Sequence, residues 1–212
     1  MTTGSNDTRT LTTPTTSDTT PDTAPEHNPV LGRFSALADA FGAVVHSLPH
    51  DAWDAPSACE GWTGRDVLDH VVGSQRGFLR ARGIELGPDP ALDEDPVAGW
   101  HAHVEELRRL LADESVAGLE YDGLFGRTTV GATITDFYGF DLVVHRWDLA
   151  RAADRDERFT DAELDLVETA LPAFGEHLYD DGVCKPALPV PADSDRQTAL
   201  LARLGRSARA GS

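Results

Sequence analysis

From Pro29 onward the apolar residues of this chain recur at spacings of three and four, and helix-start signals punctuate that rhythm. Leu31, Phe34, Leu37, Ala38, Phe41, Val44, Val45 and Leu48 form one stripe of a helix over 29–48 that must stop before Pro49. Thr63 with Asp66 three residues later has the form of a capping box, which predicts a second helix over 63–82, closed by Gly83 and Pro88. A third helix, 95–112, starts where Asp95 caps and Pro96 takes the first helical position. The longest apolar pattern predicts a fourth over 130–153. Thr160 and Glu163 make another capping box, which opens a fifth helix reaching about 177, and a short helix over 196–204 follows. The stretch 112–127 is Gly-rich and reads as irregular, 188–193 reads as extended, and no segment shows strand alternation or an internal repeat. The simplest body with this pattern is all-α: a four-helix bundle with a short C-terminal extension.

Residues 1–28 break the pattern. They contain 11 Thr, three Pro and almost nothing to bury, so they cannot offset their ordering entropy and are expected to be a disordered tail. The folded domain is expected to span 29–206.

Charge narrows the function classes. Asp and Glu total 36 against 18 Lys and Arg, a net charge of −18 that repels phosphate backbones and anionic lipid. Neither a nucleic acid nor a membrane is therefore expected as a partner. Two cysteines, Cys59 and Cys184, are too few for a disulfide framework, and no apolar run reaches membrane-spanning length. The N-terminus lacks the basic-then-apolar order of a signal peptide, so a cytoplasmic location is the expectation.

The residues that carry chemistry lie on the second and fourth helices. At 100° per residue, Ile134, Phe137, Tyr138, Asp141, His145, Asp148 and Ala152 fall within roughly 60° of one line, a stripe expected to face the bundle interior. Three ionisable groups in the middle of such a stripe require partners, because burying them unpaired costs several kcal/mol. Asp141 and His145 are one turn apart and can hold a single ion. On the second helix, His70 shares a face with Asp66, Gly73, Ser74 and Gly77, small neighbours that leave room for something other than side-chain packing. One His from one helix and an Asp-x-x-x-His pair from another suit a divalent metal inside a bundle. Two imidazoles and one carboxylate favour Zn²⁺ with a fourth position open, and Ni²⁺, Fe²⁺ or Mn²⁺ fit the same donors. The same three residues also read as a buried polar network without an ion. Asp148 reads either as the group that orients a histidine or as an arginine's ion-pair partner.

Two segments carry a family resemblance. Residues 55–73, Ala-Pro-Ser-Ala-Cys-Glu-Gly-Trp-Thr-Gly-Arg-Asp-Val-Leu-Asp-His-Val-Val-Gly, resemble the N-terminal signature of the mycothiol-dependent maleylpyruvate isomerase family, part of the DinB-like superfamily of metal-binding helix bundles. Residues 140–151, Phe-Asp-Leu-Val-Val-His-Arg-Trp-Asp-Leu-Ala-Arg, are similar to its second signature. Residues 189–206 resemble an actinobacterial branch described only as metal-binding. The resemblance implies a DinB-like four-helix bundle in which His70, Asp141 and His145 stand at the family's metal positions, with Asp where the isomerase has Glu. It further implies mycothiol as a cosubstrate, and a thiol transferase or isomerase whose partners are a small thiol and an electrophile. A counterpart of the isomerase's longer C-terminal domain is not expected in this chain. A module that holds metal or ligand without turnover is the alternative. Neither reading names a catalytic residue.

The remaining candidates have plainer expectations. Cys59, just before the second helix whose dipole favours a thiolate, reads as a reactive thiol or, more plainly, as a packing residue; Trp62 and Trp147 read as packing residues, and Cys184 and Lys185 carry no argument. His46, His50, His101 and His103 are expected to be solvated. No phosphate loop, nucleophile elbow or Cys-x-x-Cys site is present.

Overall fold

In the computed structural model, residues 1–2, 28–123, 126–180 and 183–207 are described. The tail expected to be disordered falls almost wholly outside them.

Each main helix starts where its cap chemistry directs. Helix α1 spans Pro29–Ser47, with the Asn28 side chain accepting from the Leu31 amide and Pro29 in the first turn. Helix α2 spans Gly64–Arg80 behind a complete Thr63–Asp66 capping box, and α3 spans Pro96–Ala112 behind Asp95. A single-turn helix α4, Glu114–Ala117, leads to a two-stranded antiparallel hairpin, β1 Glu120–Gly123 and β2 Gly126–Thr129. Thr129 caps α5, Val130–Arg151. Helix α6, Asp161–Phe174, starts from the Thr160–Glu163 capping box, and α7 spans Arg196–Arg203 behind Asp195.

The molecule is an all-α, DinB-like bundle. Helices α1, α2, α3 and α5 form its body, α6 packs on α5, and α7 packs on α6. Phe34, Phe41, Val45, Val67, Leu68, Val71, Leu107, Leu111, Ile134 and Leu142 make the centre of the core. Each such side chain stabilises the fold by about 1.5–3 kcal/mol relative to exposure. The Trp100 ring packs at a tilt 4.7 Å from Phe41, and a Cβ on Gly42 would meet its Nε1 at 2.9 Å, so only glycine lets α1 and α3 close this tightly. No helix among the described residues is long and apolar enough to cross a membrane.

The structure corrects three expectations. Residues 112–127 contain α4 and the hairpin instead of an irregular loop; strands of four residues are too short for alternation to register in the sequence. Helix α6 stops at Phe174, two residues after Pro172, whose missing amide removes a helical hydrogen bond, and a 3₁₀ turn over Gly175–Tyr179 replaces the rest. The α5 stripe does not face inward along its whole length. Phe137 is exposed, while most of the helix is buried on all sides because it lies between α1, α2 and α6.

His103 is also not solvated. It is 1% exposed, its Nε2 lies 2.9 Å from Gln75 Oε1, and its Nδ1 has no hydrogen-bond partner among the described residues. Burial, aided by the nearby Arg76 charge, brings the imidazole down from 6.5 to about 3. The unfolded imidazole therefore takes up a proton near pH 6.5, whereas the folded one resists until about pH 3. This contribution to stability is complete above pH 6.5 and is lost as the pH falls through that window, amounting to roughly 3 kcal/mol by about pH 4. Urea unfolding across that range should show His103→Gln losing less stability on acidification than the parent. Parallel pH profiles would contradict the assignment.

Candidate metal centre

Helix α2 presents His70 and helix α5 presents Asp141 and His145 toward the same point. His70 Nε2 lies 3.5 Å from Asp141 Oδ2, and His145 Nε2 lies 3.2 Å from Asp141 Oδ1. One donor atom from each residue lies within 4.8 Å of the others. The two imidazole rings meet edge to face at 4.9 Å. The His70 side chain is 35% exposed and opens outward, whereas His145 is buried. Along α2, Gly73 and Gly77 have open space where side chains would stand, as the small-residue face required.

The electrostatics follow from this enclosure. Burial alone would raise the Asp141 carboxyl, yet His145 and His70 hold it well below the usual carboxylate range. Burial would lower His145, but Asp141, Asp148 and Cys59 together raise it well above the ordinary histidine value. Tyr138 stands beside the site, its hydroxyl donating to the Ser74 carbonyl at 3.2 Å. Burial and the Asp141 charge push that phenol up to about 12, so it stays protonated.

Behind His145 is a second layer of polar groups. Asp148 is 0% exposed, and its Oδ2 lies 2.9 Å from His145 Nδ1. The Arg206 guanidinium grips the same carboxylate with both prongs, Nε to Oδ1 and Nη2 to Oδ2, each at 2.7 Å. Cys59 donates its thiol to Asp148 Oδ2 at 3.2 Å and lies 3.8 Å from His145 Nδ1. Both readings of Asp148 hold together: it orients a histidine and pairs with an arginine. Burial would raise this carboxyl as well, and Arg206, then His145, hold it far down. Cys59, His145 and Asp148 also place one donor atom each within 4.8 Å of one another, making a second trio with metal-holding dimensions.

Several members of the site were not assigned to it from the sequence. Trp62 is not only a packing residue: its ring lies 4.9 Å from His70 and stacks at 22° on His145. Cys59 belongs to the polar layer, and Arg206 reaches it from beyond α7. Trp147 is the buried packing residue expected, at 1% exposure. The signal for Cys59 and Trp62 lay in their position just before the α2 cap. For Arg206 it lay only in the C-terminal segment that carried the resemblance.

The sequence profile described as the Mycothiol maleylpyruvate isomerase N-terminal domain matches residues 34–150. Uncharacterised proteins from two strains of Mycobacterium tuberculosis are each 28% identical over 186 residues, covering 81% of this chain and 94% of the relative. No solved structure matches.

Proposed function

The chain belongs to the mycothiol maleylpyruvate isomerase N-terminal domain family, and from that membership we propose that residues 29–206 form a divalent-metal-binding domain that joins a small thiol, of the mycothiol type, to a small electrophile as an S-transferase or isomerase. The observation that carries the metal is Asp141 Oδ2. It is buried and has no hydrogen-bond partner among the described residues, although His70 Nε2 approaches to 3.5 Å. A buried carboxylate oxygen without a partner is costly unless something cationic completes it. The donor spacing supports the same reading, since two ligands on one tetrahedral zinc ion stand about 3.3 Å apart.

His70 Nε2, Asp141 and His145 Nε2 would hold the ion. The trio Cys59, His145 and Asp148 is the weaker choice, because Arg206 already occupies both oxygens of Asp148. A divalent ion at the first position would act as a Lewis acid and keep a thiol ionised at neutral pH. The protein's own residues do the rest of the work. Asp148 accepts from His145 Nδ1–H and so holds the ring with Nε2 toward Asp141, where a bound ion would take the place of the proton that Nε2 shares with that carboxylate. Trp62 covers one side of both imidazoles, and the open stretch along Gly73 and Gly77 leaves space beside His70 for substrates.

Protein purified without chelators should contain close to one equivalent of a divalent metal by elemental analysis. Less than about a tenth of an equivalent, even after reconstitution, would leave a polar network without an ion. Loaded protein mixed with mycothiol and a panel of electrophiles should consume thiol faster than the His145→Ala variant does. Equal rates across the panel, with metal retained, would make the domain a binding module without turnover.

A further inference from the structure

His46, in the last turn of α1, and His101, near the start of α3, are both exposed, but they do not stand apart from one another. His101 Nε2 lies 3.3 Å from His46 Nε2, and the ring centroids are 4.6 Å apart at an interplanar angle of 74°. Rings meeting end to end at that nitrogen separation would have more distant centroids, so the two imidazoles converge at an angle. The backbone fixes this approach. Gly42, one turn before His46, admits the Trp100 indole against α1, and Trp100 immediately precedes His101. Farther along the same seam Arg108 pairs with Asp39 at 2.5 Å and with Glu105 at 2.8 Å. Among the described residues, no third His, Cys, Asp or Glu donor stands within 4.8 Å of both nitrogens.

We propose that His46 and His101 form a further divalent-metal site, which binds Zn²⁺ or the similar Cu²⁺ through both Nε2 atoms and so staples α1 to α3. Two nitrogens on one tetrahedral zinc ion stand about 3.3 Å apart, and this pair already has that spacing. Imidazole is a donor that suits these ions. In the metal-free pair one Nε2 donates its hydrogen to the other. With the ion bound, both Nε2 lone pairs are taken and the donor ring carries its hydrogen on Nδ1 instead. The remaining coordination positions belong to water or to a donor from outside the chain. A net charge of −18 raises the concentration of cations near the surface. Two ligands hold an ion less firmly than three, so this one exchanges freely and adds nothing to the equivalent retained by His70, Asp141 and His145. The site lies on the seam of α1 and α3, whereas that centre is built on α2 and α5, and it stands whether or not the centre is filled.

The test is a titration of the full chain with Zn²⁺, followed by proton–nitrogen NMR of the imidazole rings. The His46 and His101 signals should move together, with a single midpoint. His46→Gln and His101→Gln, both at exposed positions, assign the signals. In His101→Gln the His46 signal should need at least about tenfold more zinc to move, because the second imidazole no longer acts at high effective concentration. His101 should behave the same way in His46→Gln. The proposal is overturned if the two rings move with different midpoints, if removing one leaves the other's midpoint unchanged, or if neither moves in large zinc excess. The His70 and His145 signals report the other centre separately, so failure at either site leaves the result at the other standing.

Discussion

His145→Ala should abolish stoichiometric metal retention, and with it any metal-dependent turnover of thiol. The size of the effect follows from the two jobs of one ring. Nε2 faces Asp141 and the proposed ion, while Nδ1 is anchored on Asp148. Removing the ring deletes a ligand outright and leaves His70, on the exposed side, as the one imidazole of the trio. Loss of an outer partner lowers metal affinity by roughly 10–100-fold, and that is the range expected for Asp148→Asn, which keeps the shape but weakens the hold on Nδ1. His145→Ala should exceed it. Titration calorimetry with Zn²⁺ on the parent and both variants measures the order. If Asp148→Asn lost as much affinity as His145→Ala, the ion would belong on the Cys59–Asp148 side of the ring.

Asp148→Ala should be the most destabilising single substitution in the site, by about 3–5 kcal/mol in urea unfolding. Asp148 accepts from Arg206 twice, from His145 and from Cys59. Alanine leaves a guanidinium that is 90% enclosed without its counter-ion, and leaves His145 Nδ1 without its acceptor. Most of the cost is the uncompensated buried charge of Arg206; the attraction between the two groups is the smaller part. The double variant Asp148→Ala with Arg206→Leu should therefore recover a substantial part of the stability. If the double variant is as unstable as the sum of the two single ones, the pair is not coupled in this way.

The backbone was legible where chemistry is local. Thr63, Asp95 and Thr160 announce their helices within one turn, and the structure shows all three caps formed. His70, Asp141 and His145 were legible as a group because helical spacing and family resemblance point to the same residues, and the fold does bring their donor atoms together. What escaped was pairing across long separations. Nothing near His103 announces Gln75, 28 positions earlier, and a histidine among polar neighbours gives the same local signal buried or solvated. Arg206 is one arginine among 17, and only the closed fold distinguishes it from those on the surface. Cys59 and Trp62 sat in a connecting loop, where periodicity says nothing about which face a side chain takes.

The grip of Arg206 on Asp148 has a consequence for the order in which the protein is made. The two residues are 58 positions apart. A ribosome adding about 5–20 residues per second therefore completes α5 several seconds before Arg206 exists. During that interval His70, Asp141 and His145 are all synthesised, but the carboxylate behind His145 lacks its guanidinium. The nascent bundle passes through a stage in which all three donors are present and the carboxylate that holds His145 Nδ1 is not yet clamped. The last helix and the residues just beyond it act as the latch that ends that stage.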